Sequence, residues 1–163
     1  MIRRLLGAAA LLLSADLAPI RATSPAVALA AADPHSFSRP AEIAVRHLEL
    51  DLAVDFAERR LTGSATLTLE RRDPAAMTLH LDTRDLEIAA VHLDGASAAA
   101  PFTLAPAVPI FGQELAIPLA PQTRTVRIDY RTRPEAAALQ WLSPEQTAGG
   151  KSPFLFTQSQ AIL

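Results

Sequence analysis

Gln158 and Gln160 are the residues of this chain whose type and spacing best suit a binding role. They lie two apart, so on a strand both side chains leave from the same face. A primary amide accepts hydrogen bonds through its oxygen and donates through its nitrogen. Such a pair can hold a polar or cationic group in a cleft without supplying a full charge. On residue type and spacing alone, the favoured reading is that the two amides satisfy polar groups along the edge of a strand ladder.

The other residues capable of chemistry are scattered. His35, His47, His80 and His92 lack the i, i+4 spacing that sets two imidazoles on one helix face. His47 and His80 fall on the polar phase of alternating runs, as solvated strand positions do. Ser143, Ser152 and Ser159 have no Gly-x-Ser-x-Gly surroundings. Gly149-Gly150-Lys151-Ser152 ends like a phosphate loop but lacks its first glycine, and reads as a hairpin tip. Asp82, Asp85, Glu87 and Asp94 do not follow calcium-loop spacing. Trp141, beside Leu139 and Leu142, reads as core rather than as a stacking platform. With no cysteine, disulfides, thiolate metal sites and a cysteine nucleophile are excluded. The formal net charge of -2, with arginines dispersed along the chain, excludes a basic nucleic-acid-binding stripe.

The elements that must position any site are strands. Leu48, Leu50, Leu52, Val54 and Phe56 alternate with His47, Glu49, Asp51, Ala53 and Asp55, which predicts an apolar stripe against a core and a polar stripe in water. Ala57 to Arg60 turns the chain, and Leu61, Gly63, Ala65, Leu67 and Leu69 then alternate with threonines, serine and glutamate as an antiparallel partner. Gly63 marks a bulge or a close backbone approach. Leu86 and Ile88 share one phase and Val91 and Leu93 the other, so a bulge is expected at Ala89-Ala90. Asp94-Gly95 is a strong turn pair. Short strands follow at Phe102 to Leu104, Glu114 to Leu119 and Thr125 to Arg131, with prolines at 101, 106, 109, 118 and 121 excluding a long helix. Phe154 to Leu163 is expected to be a strand without a pairing partner in the chain. The fold class is all-β: an antiparallel β-sandwich or a saddle-shaped sheet of short strands.

At the N-terminus, Arg3 and Arg4 precede an uncharged run from Leu5 to Leu13, with Ala28-Leu29-Ala30 as a candidate cleavage site. That run is too short for a stable membrane span, which needs about 20 apolar residues. Residues 1–32 read as a signal peptide and leader, which predicts a periplasmic or secreted protein.

The tail Leu139-Gln140-Trp141-Leu142-Ser143-Pro144-Glu145-Gln146-Thr147, followed by Gln158-Ser159-Gln160-Ala161-Ile162, resembles the M1 family of zinc aminopeptidases, in its leukotriene-A4 hydrolase and aminopeptidase B branch. Leu81-Asp82-Thr83-Arg84-Asp85-Leu86 and Leu61-Thr62-Gly63 are similar to earlier segments of the same family. The resemblance implies that residues 33–163 are an N-terminal β domain, truncated before a catalytic domain that packs on it. It implies that Gln158 and Gln160 contribute to recognition of a peptide substrate's N-terminus, with Gln160 where other branches carry a glutamate that pairs with the α-amine. It implies zinc in the parent enzyme, held by a His-Glu-x-x-His helix and a distant glutamate. In such sites zinc lowers the pKa of its bound water to about 7. None of those ligands is in this chain, which alone is expected to bind no metal and to be inactive. The alternative is a free-standing secreted β-sandwich binding module without catalysis; the coding sequence beyond Leu163 separates the two. If residues 1–32 are a leader, N-terminal sequencing of exported material will begin between about Pro19 and Asp33, whereas intact cytoplasmic protein starting at Met1 contradicts export.

Overall fold

The computed structural model describes residues 33–157. The chain order is β1 (Ile43–Asp55), β2 (Arg60–Arg71), β3 (Thr78–Thr83), β4 (Leu86–Leu93), β5 (Thr103–Leu104), β6 (Gln113–Pro118), β7 (Thr125–Thr132), β8 (Leu139–Leu142), a 3-10 turn at Pro144–Gln146, and β9 (Phe154–Thr157). Every pairing is antiparallel. One sheet has the order β1-β2-β7-β4, a second β3-β6-β5, and β8 pairs with β9. None of the sheets closes into a barrel, and the all-β antiparallel class expected from the period-two patterning is the one observed.

The core lies between the first two sheets. Leu67 and Leu69 of β2, Val91 of β4, and Val126 and Ile128 of β7 share one cluster with Leu79 of β3 and Leu115 and Ile117 of β6. Val91, Leu115, Ile117 and Val126 are entirely shielded from water. Leu81, Ile88, Leu93, Phe102 and Tyr130 close its margin.

The local devices behave as their residues dictate. Leu52 opposes Gly63, and a Cβ at Gly63 would stand 2.0 Å from the carbonyl oxygen of Asp51, so only glycine permits this strand spacing. Gly63 thus serves close approach, and the bulge of this strand pair lies between Val45 and His47. The phase change in β4 is a true irregularity, because pairing with β7 slips between Ile88 and Ala90. At the β4 exit Asp94 and Gly95 both adopt left-handed φ, 50° and 75°, as a primed turn requires. Asp94 also clamps the start of β7: its carboxylate accepts the Arg124 and Thr125 amides at 2.8 and 2.9 Å. Burial pushes the Asp94 pKa up, but those amides with the Thr123 and Thr125 hydroxyls outweigh it and hold the group below its ordinary value.

Two expectations need correction. The stripe of β1 is not packed against a core: Leu48, Leu50 and Val54 are 50%, 53% and 47% exposed, and only Ile43 and Ala44 of β1 are buried. The phase is right, since Leu48 lies opposite Leu67 and Val54 opposite Leu61, both buried. However, β1 is an edge strand, and from it only Ile43 joins the cluster shared with β3 and β6. The second correction concerns Phe154 to Thr157: this stretch is β9 and is paired, residue for residue, with β8, while residues 158–163 lie outside the described residues. Leu115→Ala will therefore cost about 2–5 kcal/mol of stability and Leu50→Ala about 0.5 kcal/mol or less, as chemical denaturation will measure; equal losses would mean that the β1 stripe is part of the core.

Candidate functional site

Gln158 and Gln160 lie outside the described residues. What the structure provides is the support that carries the chain to them. In the β8–β9 hairpin Leu139 opposes Thr157, Trp141 opposes Leu155 and Leu142 opposes Phe154, so β9 ends at the residue before Gln158.

The link between the two strands is held by its own polar atoms. The Ser143 amide donates to Gln146 Oε1 at 2.9 Å and the Gln146 amide donates back to the Ser143 carbonyl at 3.0 Å. The Ser143 hydroxyl donates to the Glu145 carboxylate at 2.6 Å, and this bond holds the Glu145 pKa below its ordinary value. The Thr147 hydroxyl sits 2.8 Å from the carbonyl oxygens of both Pro144 and Ser152, tying the turn to the return strand. Gly149 and Gly150 adopt left-handed φ of 84° and 60°. The glycine pair therefore makes a chain reversal, as the hairpin-tip reading required, and not a phosphate cradle. The Ser143-x-x-Gln146 pattern is a capping signature that was legible in the sequence but not used.

Trp141 anchors the hairpin. Its ring meets Phe56 edge to face at 5.7 Å, just beyond the end of β1, and its shielded indole N–H has no hydrogen-bond partner among the described residues. This packing agrees with the structural reading of Trp141 over a ligand-stacking one. The remaining candidates are dispersed. His35 lies tilted against Phe111 with ring centroids 5.7 Å apart, and His47 is exposed on β1. His80 Nδ1 lies 2.5 Å from Glu114, while His92 Nε2 lies 3.3 Å from Asp129. Asp82 pins the chain before β1, accepting from the Ser36 hydroxyl and the Phe37 amide at 2.6 and 2.7 Å. Among the described residues no three His, Cys, Asp or Glu side chains converge to hold a metal ion. The zinc that the resemblance implies is therefore not accommodated by these residues.

One feature was not foreseen. A cleft of about 660 Å³ on the polar face of the four-stranded sheet is lined by Asp51, Ser64, Glu87, Arg127, Asp129 and Arg131 among others. Its charges are largely matched: Arg127 pairs with Asp129 at 2.9 Å and Arg131 with Glu87. The Arg131 bond is the main cause holding the Glu87 pKa down, against a smaller opposing effect of burial. Periodicity assigns these side chains to polar faces, but the neighbours β2-β7-β4 are not consecutive in the chain.

No family model matches the chain. It is 40% identical over 135 residues to leukotriene A-4 hydrolase of Xenopus laevis, covering 80% of this chain and 22% of that protein. It is 39% identical over 135 residues to leucine aminopeptidase 2 of Yarrowia lipolytica, covering 80% and 20% respectively. Native yeast leukotriene A4 hydrolase superposes with a TM-score of 0.72 at 36% identity, over 80% of this chain and 21% of that one. The chain belongs to the leukotriene A4 hydrolase family. The same yeast hydrolase in complex with bestatin matches with a TM-score of 0.71 at 33% identity over 89% of this chain. The domain thus spans about a fifth of the length of its leukotriene A4 hydrolase and aminopeptidase relatives. A free-standing binding module is not favoured by these relatives. Because Trp141 is the sole tryptophan, Phe56→Ala will red-shift its fluorescence and loosen the hairpin by about 0.5–1.5 kcal/mol while β1–β2 pairing survives; an unchanged spectrum would remove Phe56 as the anchor.

Proposed function

We propose that residues 33–163 form the N-terminal β domain, a two-sheet sandwich, of an exported zinc aminopeptidase, with residues 1–32 as its leader. In this reading the domain contributes recognition of the substrate's N-terminal end to a peptide-hydrolysing site in a catalytic domain that packs against it. The observation that carries the proposal is a single one: the same stretch of about 135 residues matches leukotriene A4 hydrolase and leucine aminopeptidase 2 sequences at 32–40% identity. The zinc ligands belong to that catalytic domain. Bound zinc would supply an activated water there.

This chain's own part is positional. The locked turn from Ser143 to Thr147 and the Phe56–Trp141 contact hold the β8–β9 hairpin, from which Gln158 and Gln160 continue. In this role the Gln160 amide oxygen accepts a hydrogen bond from the substrate's α-ammonium. A carbonyl acceptor offers orientation but less electrostatic attraction than a carboxylate. In the full-length enzyme Gln160→Ala will lower kcat/KM about tenfold to a hundredfold, the equivalent of about 1.5–3 kcal/mol for one hydrogen bond to a charged group. Zinc content and melting temperature will not change. Gln160→Glu will favour free-amine substrates over N-blocked analogues. If neither substitution alters the two substrate classes, Gln160 is a strand residue only.

A further inference from the structure

The outer edge of β1 is unoccupied by any strand among the described residues, and it combines three properties rarely left together in water. Its only neighbour is β2. From His47 to Asp55 it runs without irregularity, and its bulge is confined to the Val45–His47 end. Every second residue therefore directs its N–H and C=O groups to open edge. One face carries Leu48, Leu50 and Val54, each about half exposed. Edge strands are ordinarily protected by proline, by lysine or by bulges along their length. The run His47-Leu48-Glu49-Leu50-Asp51-Leu52-Ala53-Val54-Asp55 has neither proline nor lysine.

The charges on the opposite face say what fits. Glu49 and Asp51 are exposed and form no ion pair among the described residues. Asp55 is engaged by the Ala57 and Glu58 amides of the following turn. A second copy pairing antiparallel about Leu50 would set Glu49 directly against Asp51 twice, and like charges placed opposite one another are destabilising. A strand bearing basic residues on that face, and apolar ones on the other, meets both requirements.

We propose that the free edge of β1 is a strand-acceptor site whose partner is an extended polypeptide segment alternating apolar residues with lysine or arginine. Main-chain hydrogen bonds supply the pairing, Leu48, Leu50, Leu52 and Val54 the apolar contact, and Glu49 and Asp51 the selectivity. The site rests on the β1 edge staying open beside the catalytic domain of the proposed function.

The test uses the 163-residue chain and two soluble peptides of equal length, one alternating valine with lysine and the other valine with glutamate. The lysine peptide will bind at least about tenfold more tightly, from two cross-strand charge pairs changing sign. Hydrogen exchange will slow at amides within His47–Asp55 and not elsewhere. The double substitution Glu49→Lys and Asp51→Lys will invert the preference, and Leu50→Ser will weaken both peptides. Equal binding of the two peptides, or protection outside β1, overturns the proposal. So does concentration-dependent self-association that protects β1, which would make a second copy the occupant. Should the double variant fail to fold by circular dichroism, the salt dependence of the lysine peptide on the unaltered chain decides: affinity independent of salt contradicts the charge selection.

Discussion

The contact between β4–β7 and β3–β6, in which Val91 and Val126 of one sheet meet Leu115 and Ile117 of the other in one dry cluster, is the constraint from which the remaining geometry follows. Burying a branched aliphatic side chain contributes about 1.5–3 kcal/mol, and these four residues sit where both sheets contribute. Their burial sets the face of every strand, because a slip of one residue would turn each apolar set outward. The bulge at Ala89 exists to satisfy it: without the extra residue, Ile88 and Val91 could not both face inward. The Asp94 clamp then fixes the β4–β7 register from its end.

Sheet pairing leaves two parts of the domain outside that cluster. β1 keeps the correct phase yet escapes cover, and the β8–β9 hairpin belongs to neither sheet. The two are joined through Phe56 and Trp141, so the segment leading to Gln158 is referred to the rigid part of the domain by one aromatic contact together with the polar lock of its turn. An arrangement of this kind gives the chain leaving Thr157 a defined starting position.

The positions of β1, β2, β4, β6 and β7, the Ala89 bulge, the Asp94-Gly95 turn and the close approach at Gly63 were legible because each depends on neighbouring residues: alternation, a phase break, a dipeptide, a missing Cβ. The exposure of Leu48, Leu50 and Val54 was not, since alternation reports which side chains share a face and is silent on what covers that face. The pairing of β9 with β8 was missed for a related reason. Eleven residues from Ser143 to Pro153, rich in local hydrogen bonds, separate the two strands, and a connection of that length does not announce a hairpin. As for the candidate site, family resemblance singled out Gln158 and Gln160, whereas Ser143, Gln146 and Thr147, which hold the hairpin leading to them, carry a capping signature available from spacing alone.

The order of strands has a temporal meaning for a chain emerging from a ribosome or a translocation pore. The four-stranded sheet draws β1 and β2 from the beginning, β4 from the middle and β7 only from Thr125 onward, while the chain visits the other sheet in between. β7 is the strand that joins β2 to β4, so the first hairpin has no sheet to enter until some eighty residues after β1 begins have been made available. Non-local pairing of this type is slow, because loop closure must precede the contacts that reward it. Until β7 arrives, β2 lacks its second neighbour, and Leu67 and Leu69, buried in the folded domain, wait for their cover. A chaperone that holds extended apolar strands would find its longest dwell on β2 before Thr125 appears, and release would follow the arrival of β7.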